Sequence, residues 1–314
     1  MVHLAGIVCG GQARTGLTSR DEGDVMKQGI IWRGALLVAV LAIAQSALAQ
    51  GVAAVRKQAE ASLRVTGSIN IATDGRVESV ELDTPEKLPK GIAAFVGRNV
   101  AGWTFEPVLV DGKPRRALTR MSALVVGKSL GDGQMEVSIR GADFGDDQAI
   151  PEAERVSGRQ MKPPGYPMAA AQSGVQGTAY LLVKVERDGS VGDVATEQVN
   201  LRIAANEAQM NQHRERFART AMAAARKWTF APPTVGEQAT QPHWVVRVPV
   251  AFSFQGQAPR YGTWEVYVPG PRARPMWAPD EEAPGFSPDA LADGGIHLAG
   301  EKRGPRLLTP LDGA

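Results

Sequence analysis

Residues 228–232 read Trp228-Thr229-Phe230-Ala231-Pro232, and residues 103–107 read Trp103-Thr104-Phe105-Glu106-Pro107. The flanks of the two stretches agree as well. Upstream of each lies an Asp-Gly pair with valine two places on, Asp74-Gly75-Arg76-Val77 and Asp188-Gly189-Ser190-Val191. Before each pair an alternating apolar run follows a glycine, Gly67 and Gly177. Between pair and tryptophan, Ile92, Val96, Val100 and Trp103 stand at i, i+4, i+8 and i+11, and Phe217, Ala221, Ala225 and Trp228 stand at the same offsets. That spacing is one face of a helix. The chain therefore reads as an α+β protein built from one unit written twice, each a small antiparallel three-stranded sheet packed on one helix.

Working outward, 314 residues suggest about two domains. With 35 basic and 33 acidic residues the net charge is +2, so no global field favours nucleic acid as a partner. The single cysteine, Cys9, lies near the N-terminus, so a chain matured beyond it has neither disulfide nor thiolate chemistry. Residues 1–25 lack periodicity and read as a misassigned extension. From Met26, basic Lys27 and Arg33 precede an apolar run from Gly34 to Ala44, and Ala47-Leu48-Ala49 precedes Gln50. Residues 26–49 thus read as a cleaved secretory signal peptide. The competing reading is a retained anchor, but a span needs roughly 20 apolar residues and this core is about half that.

The first copy occupies 53–128. Val65, Ile69 and Ile71 alternate as a strand, Asp74-Gly75 turns the chain, and Val77, Val80 and Leu82 return it. A helix is expected from Lys90 to Trp103, then a second turn at Asp111-Gly112 and a last strand from Leu118 to Val126. Residues 129–162 read as a linker, with Val137-Ser138-Ile139 as a candidate short strand and Asp143 to Asp147 as loop. The second copy, 163–254, is better specified. Pro163, Pro164 and Pro167 impose an extended approach around Tyr166. Ala179, Leu181, Val183 and Val185 share a strand face, Asp188-Gly189 is expected to form a type I′ turn, and Glu207 to Trp228 forms an amphipathic helix. In the closing strand, Trp244, Val246, Val248, Val250, Phe252 and Phe254 point one way and Val245, Arg247, Pro249, Ala251 and Ser253 the other. Pro249 cannot donate to a ladder, so one side of this strand is expected to be a sheet edge. Residues 255–314, rich in proline and glycine, read as a flexible tail, whose Trp264 and Trp277 suggest either partner binding or a tail packed loosely on its own domain.

The order of motifs in the second copy resembles the C-terminal domain of the TonB family of energy transducers. The residues that carry the resemblance are Tyr166-Pro167, Gly177, Val183, Val185, Asp188-Gly189, Val191, Val194, the run Ala224 to Phe230 with Trp228, Pro232, and Val246 to Phe254. The first copy, with Trp103 and Phe105, looks like a degenerate relative. The resemblance implies a sheet edge that pairs with a short segment of an outer-membrane receptor or another envelope protein. Here that edge is the strand Trp244, Val245, Val246, Arg247, Val248 and Val250, where main-chain hydrogen bonds supply affinity. It implies a periplasmic site of action, reached either by secretion or from an inner-membrane anchor, with an ExbB–ExbD-type motor as a further partner if the N-terminal helix is retained. Two departures from the family weaken the force-transmitting role. The segment Gly29 to Ala49 has no histidine, and no long Pro-Glu/Pro-Lys spacer precedes Pro163. The alternative is a soluble periplasmic scaffold that uses such domains without energy coupling.

No catalytic constellation accompanies these features. His3, His213, His243 and His297 are scattered, without a second ligand at metal spacing. His213 is expected to be solvated. The acidic Asp143, Asp146 and Asp147 read as a solvated loop rather than a calcium site. No cofactor or metal site and no enzyme activity is expected, and the working surface is expected to be a sheet edge.

Overall fold

The structure, a computed structural model, describes residues 52, 54–131, 134–145, 150–254, 260–279, 286–291, 295–300 and 304–311. The expected signal peptide, Cys9, His3, Asp146 and Asp147 lie outside the described residues. Strand β1 (Glu60–Ile71) and β2 (Val77–Leu82) form a hairpin, followed by helix α1 (Ile92–Ala101). A small hairpin, β3 (Leu109–Val110) and β4 (Lys113–Pro114), precedes the long strands β5 (Ala117–Gly131) and β6 (Gln134–Phe144). After β7 (Ser157–Gln160) come α2 (Met168–Gln172), β8 (Gly177–Glu186), β9 (Val191–Leu201) and α3 (Glu207–Ala225). Then β10 (Thr229–Ala231), β11 (His243–Phe252), β12 (Glu265–Tyr267) and β13 (His297–Leu298) complete the described chain. In each half a central strand pairs antiparallel with a hairpin partner and with the strand after the helix: β1 with β2 and β5, β8 with β9 and β11. The fold is α+β, with two sheets each packed on a helix.

The two halves share contacts as well as element order. Phe105 N donates to Gly75 O at 2.7 Å, and Phe230 N to Gly189 O at 2.8 Å. Each glycine has a positive φ, 85° and 83°, and a Cβ on either would overlap the carbonyl oxygen of that same phenylalanine. The Trp-x-Phe stretch therefore closes over the hairpin tip, and only glycine admits the approach. These turns are not type I′. Among the described residues, positive φ outside glycine is confined to Thr84 and Asp111, so Asp74 and Asp188 do not take the left-handed value that a type I′ turn requires. Instead Gly189 N donates to Glu186 O at 2.9 Å and Glu186 N to Ser190 O at 2.9 Å, a three-residue loop with glycine in the left-handed position. Asp188 accepts from Ser190 N at 2.9 Å and braces the loop. The type I′ dihedrals belong to Asp111-Gly112, at φ 53° and 72°, between β3 and β4.

The first core gathers Val65, Ile69, Val96, Val100, Trp103 and Phe105 under the sheet. Phe144 of β6 completes it, with ring centroids 5.7 Å from Trp103 and 4.9 Å from Phe105, both edge-on. The expected linker is therefore corrected: residues 134–144 are a full strand paired with β5. Its alternation escapes a simple period because Arg140 is an extra residue. Leu124 pairs Gly141 while Val125 pairs Ile139. Val137 and Ile139 face the core before this bulge, and Ala142 and Phe144 after it. Further on, β7 pairs with β10, so the approach to Pro163 is folded onto the second half.

The second core is built on α3. Asn206 caps it, accepting from Gln209 N at 2.9 Å, and Met210, His213, Phe217, Ala221 and Ala225 are buried. Phe217 stacks on Phe252 with centroids 4.3 Å apart. His213, expected to be solvated, is 8% exposed instead, because it lies one turn before Phe217 on the buried face.

Candidate functional site

The second half holds the motif residues in structural roles. Tyr166 lies against Phe217 and Phe252 edge-on, at 6.1 and 5.8 Å, and donates to Val175 O at 2.5 Å. Its neighbour Pro167 caps α2. Trp228 Nε1 donates to Lys162 O at 2.9 Å, so the tryptophan after α3 anchors the chain just before Pro163. Phe230 is fully buried, and Pro232 lies against the Gly189 turn. A Cβ on Gly177 would overlap Asn200 O, which is why β8 can begin so close to β9. Val191 packs half-buried on the same core.

The strand expected to bind a partner is β11. Its inner edge pairs β8 from His243↔Glu186 to Phe252↔Gly177. Its outer edge is not open, which corrects the expectation. Val246 pairs Leu298 and Arg247 pairs His297 in β13, and Ala299 N donates to Val245 O at 2.8 Å. Since bonding directions alternate along an antiparallel strand, Val245, Arg247 and Pro249 turn their main-chain groups outward and the even-numbered residues turn theirs to β8. Pro249 thus removes an outward donor, and the described pairing with β13 stops short of it.

Both faces of β11 are covered too. Trp244, Val246, Val248 and Val250 lie in the core beneath α3. On the opposite face Val245 packs with Leu182, Ala278 and Ala299, with Trp277 against them. Beside that cluster sits Arg247, the largest fully buried side chain among the described residues. Its guanidinium pairs with Glu197, whose carboxylate also receives Arg272 Nη2 at 2.6 Å. The ring of Phe286 lies 4.5 Å from the Arg247 guanidinium carbon, a cation–π contact. Glu197 reaches this face because it is the extra residue of a bulge: Tyr180 pairs Gln198 while Leu181 pairs Thr196. Burial pushes the Glu197 carboxyl up, but the guanidinium groups of Arg247 and Arg272 outweigh it and hold it below its ordinary value.

The covering residues come from the segment expected to be a flexible tail, and that expectation is corrected for its described residues. Val268 and Leu201 exchange hydrogen bonds at 2.8 and 3.2 Å, and Ala273 N donates to Glu197 O at 2.8 Å along the outer edge of β9. β12 pairs with β1, Leu291 is buried, and Leu307 is buried against Phe105 in the first core. Trp264 packs half-buried on that core rather than facing a partner. Asp289 is also buried and accepts from Asn200 Nδ2 at 2.6 Å, and burial raises its carboxyl while hydrogen bonds from Tyr180 and Tyr267 partly offset this. The site residues that sequence reasoning missed are Glu197, Arg272, Phe286 and Leu298. One signal pointed to Glu197: an arginine amid the valines of β11 needs an acid within reach.

Against known proteins, 98 residues of this chain, 31% of it, are 39% identical to Protein TonB of Xanthomonas campestris pv. campestris strain B100, and equally to Protein TonB of a second strain of that pathovar. The chain carries a TonB C-terminal-like domain. The motif residues of that resemblance, Tyr166 to Phe254, all belong to the second half. The match spans 38% of the length of those TonB proteins. No family model matches the chain, and no solved structure does. Among the described residues no helix is long and apolar enough to cross a membrane, and no group of three or more His, Cys, Asp or Glu is placed to hold a metal.

Proposed function

We propose that this protein is a TonB-like component of the cell envelope that acts in the periplasm as a binding protein, not an enzyme. It engages an extended segment of an outer-membrane receptor, or of another envelope protein, by strand addition to the β11 edge, as part of TonB-dependent transport. The observation that carries the reading is that this edge already accepts a strand, β13, in the register Val246↔Leu298 and Arg247↔His297. The first half, with the same element order and the same Gly-to-Phe latch, is read as a degenerate copy of the domain.

A soluble scaffold without energy coupling is the second reading. It is favoured by the folded approach to Pro163, where β6 and β7 stand in place of an extended spacer. N-terminal sequencing of the mature protein separates the two, since a chain beginning at Gln50 has lost any means of transmitting force from the inner membrane.

Strand addition is tested with labelled receptor N-terminal peptides and the whole chain, followed by fluorescence anisotropy. Val245 turns its main-chain groups outward within the seat that β13 occupies, and its N–H does not serve the β8 ladder, so Val245→Pro removes an edge donor there while leaving that ladder intact. The variant is expected to bind at least about tenfold more weakly, the loss of roughly one main-chain hydrogen bond. Equal binding by the two proteins rules out strand addition at this edge.

A further inference from the structure

The closing segment Ile296–Gly300 is attached differently from the rest of the C-terminal region. On its N-terminal side the chain is held by deep anchors. Leu291 is fully buried, Asp289 accepts from Asn200 and Tyr267, and Arg272 pairs with Glu197. On its C-terminal side Leu307 is fully buried in the first core, with Leu308 N donating to Thr104 O at 2.8 Å. Between these anchors, β13 makes two register pairs with β11, where β8 makes ten. Leu298 and Ile296 are half-buried against the core, while His297 and Ala299 are buried at 8% and 7% exposure. Gly295 precedes the segment, and Gly300 ends it at φ 93°, turning the chain off the edge.

A segment joined to the edge by so short a ladder, between anchors on either side of it, can leave the edge while the remainder of the region stays in place. Its departure uncovers the outward groups of Val245 and Arg247, beside Pro249. Tethered on both sides, it remains at high effective concentration and returns when no competitor is present. Its alternation resembles that of a bound peptide: Ile296 and Leu298 turn to the core beneath α3, and Ala299 turns to Leu182 and Val245.

We propose that residues Ile296–Gly300 are an internal strand ligand, and that the β11 edge receives an external strand only after this segment has let go. The external strand that replaces it in the same seat is a short extended peptide with branched apolar residues two apart and a small residue after the second. This deepens the strand-addition reading above and rests on it for the identity of the partner.

The test uses the full chain and two variants. Ala299→Pro removes the donor to Val245 O and loosens the segment. Val246→Cys with Leu298→Cys joins a directly opposed, non-hydrogen-bonded pair, the closer kind across an antiparallel ladder, and so locks it when oxidised. The probe is a synthetic peptide of residues 291–303, with binding read from the amide shifts of β11, and thermal melts confirm that each variant is folded. The loosened variant is expected to bind the peptide at least about tenfold more tightly than the wild type, because the competent fraction limits apparent affinity. The oxidised variant is expected to bind none, and reduction to restore wild-type binding. Equal affinity for wild type and Ala299→Pro overturns the proposal, and so does binding by the oxidised form. If a receptor peptide binds no variant while the tail peptide follows the expected order, the receptor reading fails and the internal ligand stands.

Discussion

Replacing Glu197 with leucine removes a carboxylate paired with Arg247, whose side chain is 1% exposed. The buried guanidinium then loses this ion pair, and breaking a buried pair from one side is expected to cost about 3–5 kcal/mol. At about 2–4 °C per kcal/mol for a chain of this size, the melting temperature falls by at least about 6 °C. Arg247→Met is milder, about 1–3 kcal/mol, because Glu197 keeps Arg272 at 2.6 Å. Joined in one protein, the two changes remove both charges, and Arg272, at 34% exposure, can turn to water. The double variant is therefore expected within about 1 kcal/mol of wild type, far from the sum of the singles. Urea unfolding followed by tryptophan fluorescence measures all four proteins.

The pair also has an acid signature. The folded Glu197 carboxyl titrates below its unfolded value of about 4.5, so the unfolded chain binds the extra proton. The stabilisation is complete above that pH and is lost as pH falls through the lower folded value. A Glu197→Leu protein within about 0.5 kcal/mol of wild type at pH 7 refutes the reasoning, since that is what a surface substitution gives.

The hairpin latches predict a graded glycine series. Gly112→Ala meets only the left-handed dihedral cost of about 1–2 kcal/mol, whereas Gly75→Ala and Gly189→Ala also strike a phenylalanine carbonyl and lose more in denaturant unfolding. Trp228→Phe keeps an aromatic ring but drops both the bond to Lys162 O and the second ring of the buried indole, and at least about 1 kcal/mol should go with them in the same assay. His213 carries a depressed folded pKa, from burial first and then the charge of Arg216. Its neutral form is the one that packs, so stability is expected to decline as pH falls below about 6.5, and His213→Leu to abolish that slope; an unchanged slope shows that another group is responsible.

Local signals carried the repeated unit, because the residues that define it are near neighbours in the chain or recur at a regular period. The positions Ile92, Val96 and Val100, the alternation of β8, and the Trp-x-Phe stretch after each helix are all readable at short range. Turn type was less legible. Asp-Gly serves two geometries here, and whether it forms a two-residue or a three-residue loop depends on how the flanking strands pair. Only Val137-Ser138-Ile139 of β6 was legible as a strand, because Arg140 shifts the phase of the alternation beyond it, and the period is the signal by which a strand is recognised.

The sequence by itself determined that two sheet-and-helix halves form and which faces they bury. Only the tertiary structure decided that the β11 edge is covered. A chain segment poor in periodic apolar residues can still be held by single long-range contacts, such as Leu307 on Phe105, Arg272 on Glu197 and Ala299 on Val245. Such contacts leave no pattern within a window of sequence, since each partner lies far away in the chain. The residues past Phe254 looked unstructured for that reason, yet they close the edge that the β11 pattern appeared to leave open.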